Sequence, residues 1–556
     1  MPDSKNDFSN RIFPALAFTA ITSTSVASTD RFNLNPPCVA GNGTDYPVGP
    51  AQAYPEISDV PWDNLGPGDT VRIHYKATPY KEKIIIRTSG SAQNPIRICG
   101  VKGPNGERPI LDGDGAVNDP DDAAAYTTYP PMEGLAMIMI YNNDYNLKDS
   151  NIIIDGLHIK NAKNTYSYTR VNGSTDNYEN GAACIRIQAG DNITIRDNEI
   201  ENCGNGIFTM SQGYNEAHLT RNILIEGNYI HQSGESGSYL EHGLYIQAIG
   251  ATYQYNHFGS NAAGSGGVTL KERVAGSTVR YNWFEGSSSR FLDLVEVEDA
   301  APWYIVREYL NELGCTDIDN CPGIDPARLQ KVQEAEAMYR KTHVYGNFFD
   351  HVGSQTDAGS MVHYGWDNDI ALAREGILYF YHNTISIQED LNDSWRFRLF
   401  DMRNNFGGTP KSQESIEAFN NIIYFRNETP GEAPAYLCMS NSGGNINFGT
   451  NWISNFDQNE TLANCYYNDP ANTPILNGLS NLLDGTNAPA PVDSLLQTLD
   501  TPLVAGTAQT MPPEAMPVHY EYKPHQKQNA RPSAKDLGAM ETITSGGNFL
   551  FADGFE

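Results

Sequence analysis

Residues 192–200 read NITIRDNEI, and the same phrase returns as NILIEGNYI at 222–230, ATYQYNHF at 251–258 and STVRYNWF at 277–284. It comes back as THVYGNFF at 342–349 and LYFYHNTI at 378–385. In each copy a short β-branched run closes on an asparagine: Asn198, Asn228, Asn256, Asn282, Asn347 and Asn383. The asparagines are spaced by 30, 28, 26, 65 and 36 residues, so one long insertion interrupts a regular period. A period of this length built from strands and turns specifies stacked coils, each burying its apolar face against its neighbours. The repeated Asn belongs at the turn, where it tolerates left-handed geometry and bonds to backbone; stacked in register, the amides also bond to one another. NIIIDGLHI at 151–159 is an earlier copy, expected to carry Gly156 in the Asn position.

A second strand precedes each copy: CIRIQ (184–188), GIFTM (206–210), GLYIQ (243–247), GVTLK (267–271), FLDLV (291–295), MVHYG (361–365) and FRLFD (397–401). Strands recurring without intervening helices specify an all-β chain, a single parallel β-helix, rather than α/β. Its expected span is 81–460. Residues 28–80, rich in Pro, Gly and Asp, provide the N-terminal cap and first strands, because a stack of coils must cover its open end. Residues 461–540 close the other end, and 541–556 form a tail. The interruption at 300–341 reads as a helical hairpin: WYIVREYLNEL, then Cys315 and Cys321, then DPARLQKVQEAEAMYRK with Asp325 as N-cap and Pro326 at N1. Such an excursion lids a groove or decorates the stack.

The 556 residues carry a formal net charge of −30, which argues against nucleic acid and anionic membranes as partners. No apolar run is long enough to span a membrane. Residues 1–27 read as an export signal, with Lys5 and Arg11 flanking an apolar, Thr-rich run and Ser25-Val26-Ala27 as the cleavage site. The eight cysteines form no zinc pattern and suit a secreted or cell-surface protein. Cys38 with Cys99, Cys184 with Cys203, Cys315 with Cys321 and Cys438 with Cys465 are plausible pairs among 105 connectivities.

The stretches PWDNLGPGDTVRIHY, PYKEKIIIR, PIRICGVKGPNGERPILDG and LKERVAGSTVRYNWFEG resemble exported bacterial right-handed parallel β-helix repeat proteins, over most of 55–425. ARPSAKDLGAMET resembles their closing segment, and FADGFE is similar to a tail ending many exported gammaproteobacterial proteins. The resemblance implies the fold and, more distantly, the β-helix polysaccharide lyases of the chondroitinase-B and alginate-lyase kind. There a strand Lys is followed one coil later by an Arg. Lys271 in VTLKER matches the Lys, whereas the position one coil later falls near Leu294 and is not basic; Arg290 precedes that strand.

Alternation along the upstream strands sends Ile185, Ile207, Leu244, Val268, Leu292 and Val362 inward. The next residues, Arg186, Phe208, Tyr245, Thr269, Asp293 and His363, then face outward with Arg398, and Lys271 belongs to the following outward row with Gln188 and Gln247. Tyr245, Lys271, Asp293 and His363 are expected to share one patch, with Arg273, Asp367 and Arg398 at its margin. Uronic-acid β-elimination uses such a set: a cation neutralises the substrate carboxylate, a base takes the adjacent proton and an acid protonates the leaving oxygen. Lys271 or His363 is the candidate base, Tyr245 the acid, and Arg398 or Arg273 the carboxylate partner. Asp293 orients His363 or joins Glu296 and Glu298 around Ca²⁺. Two alternatives compete. A glycoside hydrolase would pair Asp293 with Asp367 or Asp401, and a non-catalytic glycan-binding protein would offer Tyr229, His257, Trp283 and Trp366 as stacking platforms. The expected partner is a polysaccharide, and the expected state a monomer.

Overall fold

The computed structural model describes residues 36–453 and 508–540, apart from short stretches at 128, 145, 214, 287, 354–359, 390–397, 403–404, 407–408, 411–413, 427–437, 442–444, 524–526 and 532–534. Residues 1–27, read from the sequence as an export signal, Cys465 and residues 541–556 lie outside the described residues, as does the side chain of Arg398.

The chain is a parallel β-helix whose coils contribute strands to three parallel ladders. The first ladder runs through Ile84–Ile86, Ala136–Ile140, Ala183–Ile187, Asn205–Thr209, Leu292–Leu294, Ser360–Tyr364 and Arg398–Asp401. The second includes Ile96–Val101, Asp149–Asp155, Gly190–Arg196, Arg221–Glu226, Lys341–Tyr345 and Ile377–Tyr381. Two 11-residue strands, Leu244–Gln254 and Leu270–Arg280, belong to both. They bend between the ladders at Gly250 and Gly276, whose φ of 82° and 76° favour glycine. Asn192 and Asn222 occupy the same bend one and two coils earlier with φ near 55°. The third ladder holds short strands such as His158–Lys160, Glu199–Glu201, Tyr229–His231, His257–Phe258 and Trp283–Gly286.

Inside, like side chains stack on like. Ile185, Ile207, Leu244, Leu270, Leu292, Val362 and Phe400 are in register and buried. Phe258, Phe284 and Phe349 stack with centroids 4.6 and 4.8 Å apart. At the turn between the second and third ladders, the side-chain amide of Asn198 donates to Asn228, and the chain of bonds continues through Asn256, Asn282, Asn347, Asn383, Asn421 and Asn451 at 2.9–3.2 Å. Asn421 and Asn451 extend the expected series. The left-handed residue is the one before the Asn in the copies from Asn198 to Asn421: Asp197, Gly227, Tyr255, Tyr281, Gly346, His382 and Asn420, with Gly156 in the same place before Leu157. Gly156 therefore fills that preceding position, and Leu157, whose amide donates to Asn198, takes the Asn position.

The N-terminal cap folds Ile57, Val60, Trp62 and Leu65 into the same core as the coils. The interruption forms helices Ala301–Tyr304, Val306–Glu312 and Pro326–Tyr339, with Asp325 capping the last through the Ala327 amide. Trp303, Tyr304, Ala335 and Tyr339 pack against Ile249 and Ala275, beside the bend. Three expected disulfides are present, Cys38–Cys99, Cys184–Cys203 and Cys315–Cys321. The fourth expected pairing falls outside the described residues. No helix among them is long and apolar enough to cross a membrane.

Candidate active site

Strand pairing sets one outward row on the first ladder: Arg186, Phe208, Tyr245, Lys271, Asp293, His363 and Asp401. Two positions differ from the sequence-based alignment. Leu270, not Val268, faces Leu244, so Lys271 and not Thr269 stands between Tyr245 and Asp293. Asp401 continues the row, while the backbone of Arg398 pairs with Ser360, three residues earlier. The row is long. With strands about 4.8 Å apart, Tyr245 and His363 are separated by three steps, about 14 Å, and cannot flank one bond.

The centre of the row is a closely held charge cluster. Lys271 Nζ donates to Asp293 Oδ2 at 2.7 Å and to Asp367 Oδ2 at 2.5 Å. Burial works to lower the ammonium's pKa, but the two carboxylates outweigh it and hold it above its ordinary value. Lys271 is thus an ammonium, not a resting base. Burial likewise works to raise the Asp293 carboxyl, yet Lys271 and the His363 hydrogen bond hold it well below the usual carboxylate range. Asp293 Oδ1 lies 2.6 Å from His363 Nδ1. An ionised carboxylate only accepts, so the short Asp293 contact favours a proton on Nδ1 and, in that neutral tautomer, the lone pair on Nε2; Arg290 Nη1, a donor, also lies 3.0 Å from Nδ1 and opposes this. Nε2 is buried, in a side chain that is 0% exposed, and has no hydrogen-bond partner among the described residues, so a substrate can reach it only if the groups that cover it move aside. Arg290, from just before the strand, reaches Asp293 at 3.4 Å, Asp401 at 3.2 Å and the Ser360 hydroxyl at 3.0 Å.

Arg273 lies one outward position further along the strand than Lys271. Its guanidinium donates to Tyr245 Oη at 3.2 Å, to the Glu296 carbonyl at 2.7 Å and to Asp367 at 3.1 Å, and it pairs with Glu298 at 2.8 Å. Because the Arg273 bond arrives at the Tyr245 oxygen, the phenol proton is directed elsewhere.

Glu296 holds a turn. Its carboxylate accepts from the backbone amides of Asp367, Asn368 and Asp369 at 2.7–2.8 Å and so shapes the turn that carries Asp367. Glu298 is engaged by Arg273 and Asn368, and Asp293 by Lys271, His363 and Arg290. The oxygens of the expected calcium ligands Asp293, Glu296 and Glu298 are thus engaged by protein cations and amides. Trp366 is corrected. It is 1% exposed and offers no stacking surface: with His363 outward, alternation already sends Trp366, three positions on, inward. Tyr229, His257 and Trp283 do form a half-exposed stack, with centroids 4.5 and 4.2 Å apart, on the third ladder.

One member of the row differs from the rest. Arg186 is buried, lies 4.2 Å over the Phe208 ring, and donates to Gln188 at 3.2 Å. No carboxylate pairs with it among the described residues. Burial pushes its pKa down to about 10, which leaves it charged at neutral pH.

No family model matches the chain, and no curated protein does. Among solved structures it is similar to an alginate lyase from Paenibacillus sp. str. FPU-7 (14% identity, 69% of this chain and 94% of that one, TM-score 0.35). It is similar also to a pectate lyase (11%, 90% and 97%, TM-score 0.39) and to a rhamnogalacturonan lyase (12%, 73% and 87%, TM-score 0.40). Likenesses at this level carry no argument about activity. The reading of the site rests on its own geometry.

Arg290 and Asp401 complete the cluster, yet the sequence reading left Arg290 outside it and gave Asp401 only a hydrolase role. Arg290 precedes its strand and enters the row through the length of its side chain, which periodicity does not report. The signal for Asp401 was present: FRLFD repeats the alternation of FLDLV.

Proposed function

We propose that this protein is a carbohydrate-active enzyme that cleaves a uronic-acid-containing polysaccharide by β-elimination, with His363 Nε2 as the base. The Asp293–His363 pair carries the reading. A carboxylate fixes the tautomer and orientation of an imidazole whose other nitrogen is unengaged. The base takes the proton from the carbon next to the substrate carboxylate; that electron pair becomes a carbon–carbon double bond and expels the glycosidic oxygen, which must then be protonated. Lys271, an ammonium on the other oxygen of Asp293, is the nearer acid, in place of the distant Tyr245. Asp367, the more exposed of Lys271's two partners, occupies the place a substrate carboxylate would take between Lys271 and Arg273. Arg186 adds an unanswered positive charge along the same face.

A hydrolase would need one protonated carboxyl beside an ionised one. Asp293 and Asp367 are both held below their ordinary values by Lys271, against the opposing effect of burial, which disfavours that reading. Three disulfides favour an oxidising, extracytoplasmic setting. The test is incubation with a panel of polyuronates. Near-UV absorbance from an unsaturated product end, abolished in His363→Gln, supports the proposal. New reducing ends without that absorbance assign a hydrolase, and binding without product assigns a glycan-binding role.

A further inference from the structure

On the third ladder, a different face of the coils from the row just described, three ligand-type side chains converge and a fourth stands beside them. His158 pairs in register with Glu199 and Tyr229, and Lys160 with Glu201 and His231. Ile159, Ile200 and Ile230 between them point into the core. Alternation therefore sends His158, Glu199, Glu201 and His231 outward together from three successive coils. His158 Nε2 lies 2.7 Å from Glu201 Oε2 and 3.9 Å from Glu199 Oε1, and one donor atom from each of these three lies within 4.8 Å of the others. His231 Nε2 lies 3.5 Å from the same Glu199 oxygen. The His231 side chain is only 10% exposed, and its Nε2 is buried without a hydrogen-bond partner among the described residues. Its ring is held in place by Tyr229, stacked at 4.1 Å.

We propose that His158, Glu199, Glu201 and His231 form a zinc-type cation site on the outer face of the third ladder. Two imidazole nitrogens and two carboxylates are a donor set that Zn²⁺ takes in tetrahedral geometry. Metal–ligand bonds of about 2.0–2.2 Å place neighbouring ligand atoms about 3.3 Å apart; the separations of 2.7 to 3.9 Å bracket that value, while His231 stands near Glu199 alone, outside the group of three, and would close on the ion as it binds. The carboxylates balance the cation's charge. Arg108, the guanidinium that acts on Glu199 from alongside, is already paired with Asp197. Lys160 is the ammonium that shares this face. Because the ligands come from three coils, the ion would clip the stack together and couple binding to folding. The site is independent of the proposed lyase activity.

The test uses the full chain, stripped with chelator and titrated with Zn²⁺ by calorimetry, with Co²⁺ as a spectroscopic probe. The expected result is one bound equivalent, tetrahedral-type visible bands with Co²⁺, and a raised melting temperature. His158→Gln and Glu201→Gln should each weaken binding at least about tenfold. Circular dichroism establishes that each variant is folded, and two different ligands are changed so that one misfolded variant does not decide the matter. Absence of a stoichiometric Zn²⁺ equivalent in the native protein overturns the proposal. So does unchanged affinity in both folded variants, or a response to Ca²⁺ without one to Zn²⁺, because Ca²⁺ does not use imidazole.

Discussion

Asp293 Oδ1 lies 2.6 Å from His363 Nδ1, while its Oδ2 lies 2.7 Å from Lys271 Nζ, so a single carboxylate spans the candidate base and the candidate acid. Replacing His363 by Gln removes the lone pair but keeps a donor toward Asp293. Turnover on the responsive polyuronate should fall by about 10²–10⁴, the usual contribution of a positioned general base, with KM little changed. Steady-state absorbance kinetics measure both. A variant with native kcat would remove His363 from the mechanism.

Arg186 should separate binding from chemistry. It stands three strand steps from Lys271 and makes no described contact with the Asp293 cluster. If it answers a substrate carboxylate, Arg186→Met should raise KM for an acidic polymer about tenfold, roughly the worth of one charged hydrogen bond, and leave kcat near native. Stability should hold or rise, because a buried guanidinium without a carboxylate gives way to an apolar chain of similar reach. A fall in kcat with unchanged KM would contradict this role.

The repeat made the fold legible because every copy of the phrase ends on the same asparagine, and an amide that must bond to its own image has to recur. The candidate row was legible only in part. Period-two alternation tells which face a residue takes, but a shift of two leaves that face unchanged. In GVTLK both Val268 and Leu270 are apolar and both suit the interior, so the sequence alone could not say which of them faces Leu244. The error moved Lys271 by one outward position without turning it inward. Arg290 was misjudged because side-chain length is not part of a pattern of alternation. Trp366 was misjudged because the alternation that turns His363 outward, and turns Trp366 inward, was not carried past the end of the strand.

The asparagine stack predicts a steep local cost. Asn256 donates to the Ile225 carbonyl at 2.8 Å and to Asn282 at 3.0 Å, and accepts from both the backbone and side-chain amides of Asn228 at 3.0 Å. Asn256→Ala would take their Asn256 bonds from the Asn228 backbone amide and the Ile225 carbonyl, and leave the Asn228 side-chain amide with the Ile195 carbonyl alone. Each buried group left without a partner costs about 1–3 kcal/mol, so the variant should lose at least about 2 kcal/mol in denaturant unfolding. Asn198, the first asparagine of the chain of amides, receives its incoming bond from the Leu157 backbone alone, so Asn198→Ala should cost less. Equal losses at the two positions would mean that the amides do not act as a chain.

Asp149 offers a stability test that depends on pH. Its carboxyl is buried in the second ladder, Oδ2 has no hydrogen-bond partner among the described residues, and Oδ1 meets only a long contact of 3.5 Å from Asn142. Burial pushes its pKa up to about 7, against the opposing Asn142 and Arg87 contributions. Between the unfolded value of about 3.9 and that folded value, the native state binds more protons than the unfolded one. Stability from this group is therefore fully present below about pH 4 and is lost as pH rises toward 7. A carboxamide in its place does not titrate over this range. The Asp149→Asn variant should match the native protein at pH 4 and exceed it by about 2 kcal/mol at pH 8, after discounting the full shift for relaxation of the site. Urea midpoints at the two pH values measure the difference. An offset that is the same at both would mean that Asp149 is ionised throughout and stabilised by a partner.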